Sequence, residues 1–187
     1  LGEGNEGIEV IDKALRLPKQ QYSFLSHGIK GSLYGSLGLY EEALKQYDTA
    51  VLLNPEYDTH LDRAQVLILL RRFDEALLST QKALQLTPDN PTAHLSKFAC
   101  YVGLKKYEDA VAAFDKALQL GAVPTYGDYY NLGCCYSLLN NQKQALVYLE
   151  KSIQGGWKDF DWIEKDSDWN NIRETAGFKA LIAKYKK

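Results

Sequence analysis

The sequence contains no methionine, only five prolines, and three cysteines among its 187 residues. With no initiator methionine, an upstream stretch is expected ahead of Leu1, a removed targeting segment among the options. No signal-peptide pattern is visible at Leu1 itself. An odd cysteine count closes no disulfide framework, and no C-x-x-C spacing marks a zinc or redox motif. No apolar run approaches the roughly 20 residues of a membrane span. A basic stripe is also missing. Net charge is −2 with both signs interspersed, which argues against a surface that tracks nucleic-acid phosphates. The basic cluster Lys184, Lys186 and Lys187 reads as a solvated tail. No Gly-rich phosphate loop appears: Gly35 and Gly38 stand between helical runs, with no strand before them. Neither G-x-S-x-G nor H-E-x-x-H occurs. No residue is singled out as catalytic, and no cofactor or metal is expected.

What the chain has is repetition. The stretch Tyr107-Glu108-Asp109-Ala110, followed by Phe114 and Ala117, sets an aromatic, two acids and small residues at helical spacing. It recurs at Tyr40-Glu41-Glu42-Ala43, with Tyr47, Ala50 and Pro55. It recurs again at Phe73-Asp74-Glu75-Ala76, with Ala83 and Pro88. The alanines Ala43, Ala76, Ala110 and Ala145 are 33, 34 and 35 residues apart. A period of that size means an array of stacked supersecondary units. Apolar residues make up 45% of the chain and charged ones 25%, so such units can bury a core.

These residues resemble the tetratricopeptide repeat family. The resemblance implies an all-α fold, an alpha-alpha superhelix of antiparallel helix pairs, with protein binding as its usual work. The array is expected over 1–156: an incomplete first repeat, then units at about 21–55, 56–88, 89–122 and 123–156. In residues 1–17, Gly7, Ile11 and Ala14 take the places of Ala43, Tyr47 and Ala50, so only a second helix is present. Gly31 is expected to let its helix pair approach closely. Thr80 replaces the usual ring, so looser packing is expected there. Phe98 stands where a small residue is normal. Asn90-Pro91 marks a helix start, and Asn140-Asn141 a turn.

All three tryptophans, Trp157, Trp162 and Trp169, lie in the last segment, 157–187, which reads as a cap. Asp166-Ser167-Asp168-Trp169-Asn170-Asn171-Ile172-Arg173, then Phe178 and Leu181, looks like a tail that closes bacterial repeat arrays. That likeness suggests a bacterial origin. A short helix near Phe160–Glu164 and a last one near Ala176–Lys186 are expected, covering the open side of the final repeat.

His27, His60 and His94 share one repeat-equivalent place. Stacked helices lie roughly 8–10 Å apart, too far for a ladder of rings to converge on one zinc at about 2.0–2.1 Å, so packing is their expected role. Cys100 and Cys135 hold a small buried position. Cys134 turns to another face. The acidic pairs fit helix-start electrostatics. The run Asp159, Asp161, Glu164, Asp166 and Asp168 reads as a solvated cap surface.

In the family the first helices line a concave groove. Register places Leu25, Gly28, Ser32 and Ser36 there, then Leu61, Gln65 and Ile68, then Leu95, Ala99 and Val102, and last Tyr130, Cys134 and Ser137. This small, apolar, nearly uncharged set suits an apolar segment or an amphipathic helix of another protein. Some family members clamp acidic chaperone tails with Lys, Asn and Arg. Here Arg63 and Lys97 lie on first helices, but Asp62 would repel a carboxylate. The groove is also open to partial filling by the chain's own cap. Two functions follow: a non-enzymatic adaptor, or a positioning module of a larger enzyme whose active portion lies upstream of Leu1. Self-association through the incomplete first repeat is a minor third reading.

Overall fold

A computed structural model describes residues 23–55 and 59–186. The incomplete first repeat expected at 1–17 lies outside the described residues, as does Lys187. Among the described residues ten α-helices follow one another: α1 Ser23–Ser36, α2 Tyr40–Leu53, α3 His60–Leu69, α4 Phe73–Leu86, α5 Pro91–Gly103, α6 Tyr107–Gln119, α7 Tyr126–Leu138, α8 Gln142–Gln154, α9 Phe160–Lys165 and α10 Ala176–Tyr185. A 3₁₀ turn at Ser167–Trp169 sits between the last two. Among the described residues there is no strand. The chain divides into two compact units between Ser96 and Lys97, inside α5.

The buried faces follow the helical period. In α6, Ala110, Ala113, Phe114 and Ala117 are buried, a stripe at i, i+3, i+4 and i+7. The equivalent stripe of α2 is Ala43, Leu44, Tyr47 and Ala50. That of α4 is Ala76, Ser79, Thr80 and Ala83. Thr80 is fully buried, and its hydroxyl donates to the Ala76 carbonyl at 2.8 Å, so the helix itself satisfies the polar atom. Gly31 does what the sequence demands. A Cβ there would stand 2.8–2.9 Å from the Tyr47 ring, and only hydrogen fits. Phe98 is buried and meets Phe114 edge-on at 4.9 Å. One ring thus replaces the close contact that a small residue makes elsewhere.

Each turn from first to second helix is built alike. Gly38, Arg71, Lys105 and Asn140 hold positive φ of 74, 59, 58 and 58°. The next amide reaches back to a carbonyl five residues earlier: Leu39 to Tyr34, Arg72 to Leu67 and Lys106 to Tyr101 at 2.9 Å, and Asn141 to Tyr136 at 2.8 Å. This is the Schellman ending, which uses otherwise orphaned carbonyls. The helices that follow at Tyr40, Phe73 and Tyr107 lack a side-chain cap but carry acids in the first turn, so charge offsets the positive helix end. Asn90 caps α5 through Oδ1, which accepts the Ala93 amide at 3.0 Å. Thr125 and Asp128 form a reciprocal capping box on α7.

Two of the in-register histidines are joints. His60 Nε2 lies 3.0 Å from the Pro55 carbonyl and His94 Nε2 lies 3.0 Å from the Pro88 carbonyl. Each ring ties its first helix to the proline that ended the preceding one. His27 Nδ1 instead meets Gln46 Oε1 at 2.9 Å. The three rings work separately, as the ladder argument requires.

Candidate functional site

The expected groove residues split into two groups. Leu25, Leu61 and Leu95 are half-buried in the first unit, with Ile68 beside them; Ser32, Ser36 and Gln65 are exposed, and Gly28 is buried. Ser32 also bonds the Tyr47 hydroxyl at 3.1 Å. In the second unit Ala99 and Val102 are half-buried on α5. The α7 set differs. Tyr130 and Cys134 are each 4% exposed and Ser137 is 0% exposed. These three, expected to contact a peptide, are corrected to core positions, because the chain's own tail covers them.

The cover is specific. The Tyr130 ring stacks on Trp157 with centroids 4.2 Å apart and planes within 4°. Its hydroxyl donates to Asp166 Oδ2 at 2.6 Å and accepts from Trp169 Nε1 at 2.9 Å. Asn171 Nδ2 donates to the Ser137 carbonyl at 3.2 Å. Trp169 lies over Gly133, where a Cβ would meet its Cη2 at 2.8 Å. Ile163, Trp169, Ile172, Phe178 and Ile182 then join Ala145, Leu149 and Ile153 in one apolar cluster. The expected helices at 160–164 and 176–186 are present as α9 and α10, and they share the core of the final repeat. Gly133, like Gly31, leaves no room for a methyl against its partner helix. Here a tryptophan 36 residues downstream also occupies that space.

The acidic run is divided among tasks, so the reading of it as a solvated surface is corrected in part. Asp159 caps α9 by accepting from the Trp162 amide at 2.9 Å. Asp161 and Glu164 pair with the Lys186 ammonium at 2.9 and 2.8 Å. Asp166 accepts from the Asp168 amide at 3.1 Å in addition to Tyr130. Asp168 lies beside the Cys134 thiol, with their polar atoms within 4.8 Å.

Cys134, Asp166 and Asp168 place their donor atoms within 4.8 Å of one another, the kind of grouping a metal uses. Asp166 is already engaged by the Tyr130 hydroxyl and the Asp168 amide. Burial, then the charges of Asp166 and Asp168, hold the Cys134 thiol far above its ordinary pKa. Burial also pushes Cys135 up to about 12. A protonated thiol is a poor nucleophile. All three cysteines are buried and free, in agreement with a packing role. Burial, then the hydrogen bond to Asp166, likewise keeps the Tyr130 phenol protonated.

Asp168 carries a testable cost. Burial, then the neighbouring Asp166 charge, raises its pKa above the ordinary carboxylate value. An acid raised by folding contributes its stability fully below the unfolded pKa, about 3.9. It loses that contribution as pH rises through the folded value. Asp168→Asn stays neutral at either pH and keeps nearly the same shape. The variant is expected to show a higher urea midpoint than wild type at pH 7, and no advantage at pH 3. Equal midpoints at pH 7 would show that Asp168 is ionised there without penalty.

Among the described residues no helix is long and apolar enough to cross a membrane. The fold and its covered end define the class: an array of antiparallel helix pairs closed by a packed tail. Sequence models of the tetratricopeptide repeat match residues 30–91, 67–126 and 129–154, and the chain belongs to that family. The matches stop short of the Trp-rich tail. Mouse sperm-associated antigen 1 is 34% identical over 98 residues, half of this chain and 11% of that protein. A chloroplast protein of Arabidopsis thaliana is 34% identical over 70 residues, 35% of this chain and 21% of that protein. The chain thus spans a small part of the curated relatives it matches. Among solved structures, MamA of Desulfovibrio magneticus superposes with a TM-score of 0.73 at 19% identity, over 82% of this chain and 85% of that one. YrrB, described as a repeat protein with an unusual peptide-binding site, gives 0.68 at 24%, over 83% and 79%. These likenesses establish the fold. The relatives fall in both bacteria and eukaryotes.

Proposed function

We propose that the chain is a protein-interaction adaptor that holds an apolar peptide or helix on the first-helix face of α1 and α3 and the start of α5. The observation that carries this reading is the contrast between the two ends. The tail covers Tyr130, Cys134 and Ser137, while the register-equivalent Leu61, Gln65, Ile68 and Leu95 keep solvent contact. Repeat domains of this family are generally protein-interaction modules, and the peptide-binding site of YrrB is in keeping with such a use. The chaperone-tail clamp is disfavoured here by geometry. Arg63 Nε donates to Asp48 Oδ1 at 2.6 Å and its Nη1 to the Ser79 hydroxyl, so its guanidinium is committed toward the second helices.

The test is affinity capture with wild type and with Leu61→Glu/Ile68→Glu, followed by mass-spectrometric identification. A partner retained by wild type and lost by the variant, with unchanged helicity, supports this face. A partner held equally by both overturns it. The positioning-module reading is favoured by one fact: the matched stretch is a minor part of longer relatives. A catalytic domain in the same gene product would support that reading.

A further inference from the structure

A second apolar cleft lies on the opposite side of the helix pairs, between the second helices α2 and α4. Its volume is about 500 Å³, with Val51 and Leu52 on one wall, Leu78 and Gln81 on the other, and His60 and Arg63 at its floor. It continues past Val51, His60 and Lys82 toward Pro55 and Leu86. It opens beside Ser79, next to Thr80, where the other complete units hold a larger side chain: Tyr47, Phe114 and Leu149.

The rim is unusual for this chain. Leu52 is 81% exposed and Leu78 is 64% exposed. At the place of Leu52 the other units carry Gln85, Gln119 and Gln154, all exposed; at the place of Leu78 they carry Lys45, Ala112 and Val147. The fold therefore does not require leucine at the Leu52 position, which the same array fills with glutamine three times. Exposed apolar side chains gathered at one cleft, unlike those scattered singly, are what an interaction surface requires. The charges are also unequal. Arg63 is neutralised by Asp48. Lys82 is exposed and has no hydrogen bond or ion pair among the described residues.

We infer that this cleft docks an amphipathic helix of a protein partner, one that sets leucine-type side chains between Leu52 and Leu78 and an acidic side chain against Lys82. The volume suits a few such side chains, since small-ligand pockets begin near ~300 Å³. Two helix walls receive a third helix in the ordinary helix-in-groove mode. An ammonium with no ion pair among the described residues selects an acidic neighbour over a basic one.

The experiment pans a displayed library of random 12-residue peptides on the full chain. Selected peptides are then measured by fluorescence anisotropy against wild type, Leu52→Gln/Leu78→Ala and Lys82→Glu. These side chains are exposed, and matching thermal melts verify that folding is unaffected. Expected are peptides with leucine or isoleucine at i and i+3 or i+4 beside Asp or Glu. Their affinity should fall about tenfold or more in the leucine variant and severalfold in Lys82→Glu. Leu61→Glu/Ile68→Glu should leave it unchanged, so failure here is separable from failure of the first-helix face. The inference is overturned if no peptide is selected, if binding ignores the leucine variant, or if the selected peptides are basic. It is overturned equally if wild type sediments as a dimer that Leu52→Gln/Leu78→Ala dissolves, because the occupant is then a second copy of the chain.

Discussion

Trp169→Ala is expected to destabilise the protein by about 3–5 kcal/mol, the range for deleting a large ring from a core. Trp169 is 0% exposed and heads the fully buried side chains by volume. Its ring meets Tyr130 at 5.7 Å and Phe178 at 5.9 Å. Its indole N–H is held by the Tyr130 hydroxyl. Removing it empties the space above Gly133 and takes one donor from Tyr130. Urea denaturation measures the loss. A second readout locates it. Cys134 lies under the tail and should become reactive to a thiol reagent in the variant well below the global transition. Cys100 reacts at the wild-type rate if only the tail has loosened. A loss under about 1 kcal/mol with Cys134 still protected would show that the tail holds without its central ring.

Gly133→Ala is the second large effect, about 1–3 kcal/mol, the cost of forcing a methyl into a filled core. The new Cβ would stand 2.8 Å from Trp169 Cη2 and 3.3 Å from both the Ala145 carbonyl and the Leu149 amide. The backbone contacts cannot swing aside, and the tryptophan is enclosed. The clash is therefore shared between the helix pair and the tail, and the two changes should not add. In a double-mutant cycle, Gly133→Ala in the Trp169→Ala background is expected to cost clearly less than in wild type. Additivity within about 0.5 kcal/mol would mean that the α8 backbone alone sets the limit.

Such a cycle probes a contact that the sequence left open, the filling of the final repeat's first-helix face by the chain's own cap. The repeat unit was legible because its signals are local. Alanines 33–35 residues apart, acids at each second-helix start, and the Asn90-Pro91 helix start all act within one or two turns. The stripe in α6 is readable from Ala110, Ala113, Phe114 and Ala117 without knowing what covers it. The left-handed turn residues were half legible. Gly38 and Asn140 suit positive φ, whereas Arg71 and Lys105 occupy it only because the Schellman bonds around them impose the geometry. The equivalence of His60 and His94 was visible, but not their acceptors, the Pro55 and Pro88 carbonyls, since a ring's partner is fixed by the angle between successive helices.

The sequence by itself determined the helices, their pairing into repeats, the positions of the turns and the existence of a closing tail, because helical period and capping depend on neighbours a few residues apart. The tertiary structure decided which faces remain available. Tyr130 meets Asp166 and Trp169 across 36 and 39 residues. Whether that tail packs on the first-helix face depends on a stacked Trp157, a hydrogen-bonded phenol and the empty space above Gly133 all meeting at once. The same holds for the cleft between Leu52 and Leu78, whose walls belong to two helices and become a surface only when those helices stand side by side.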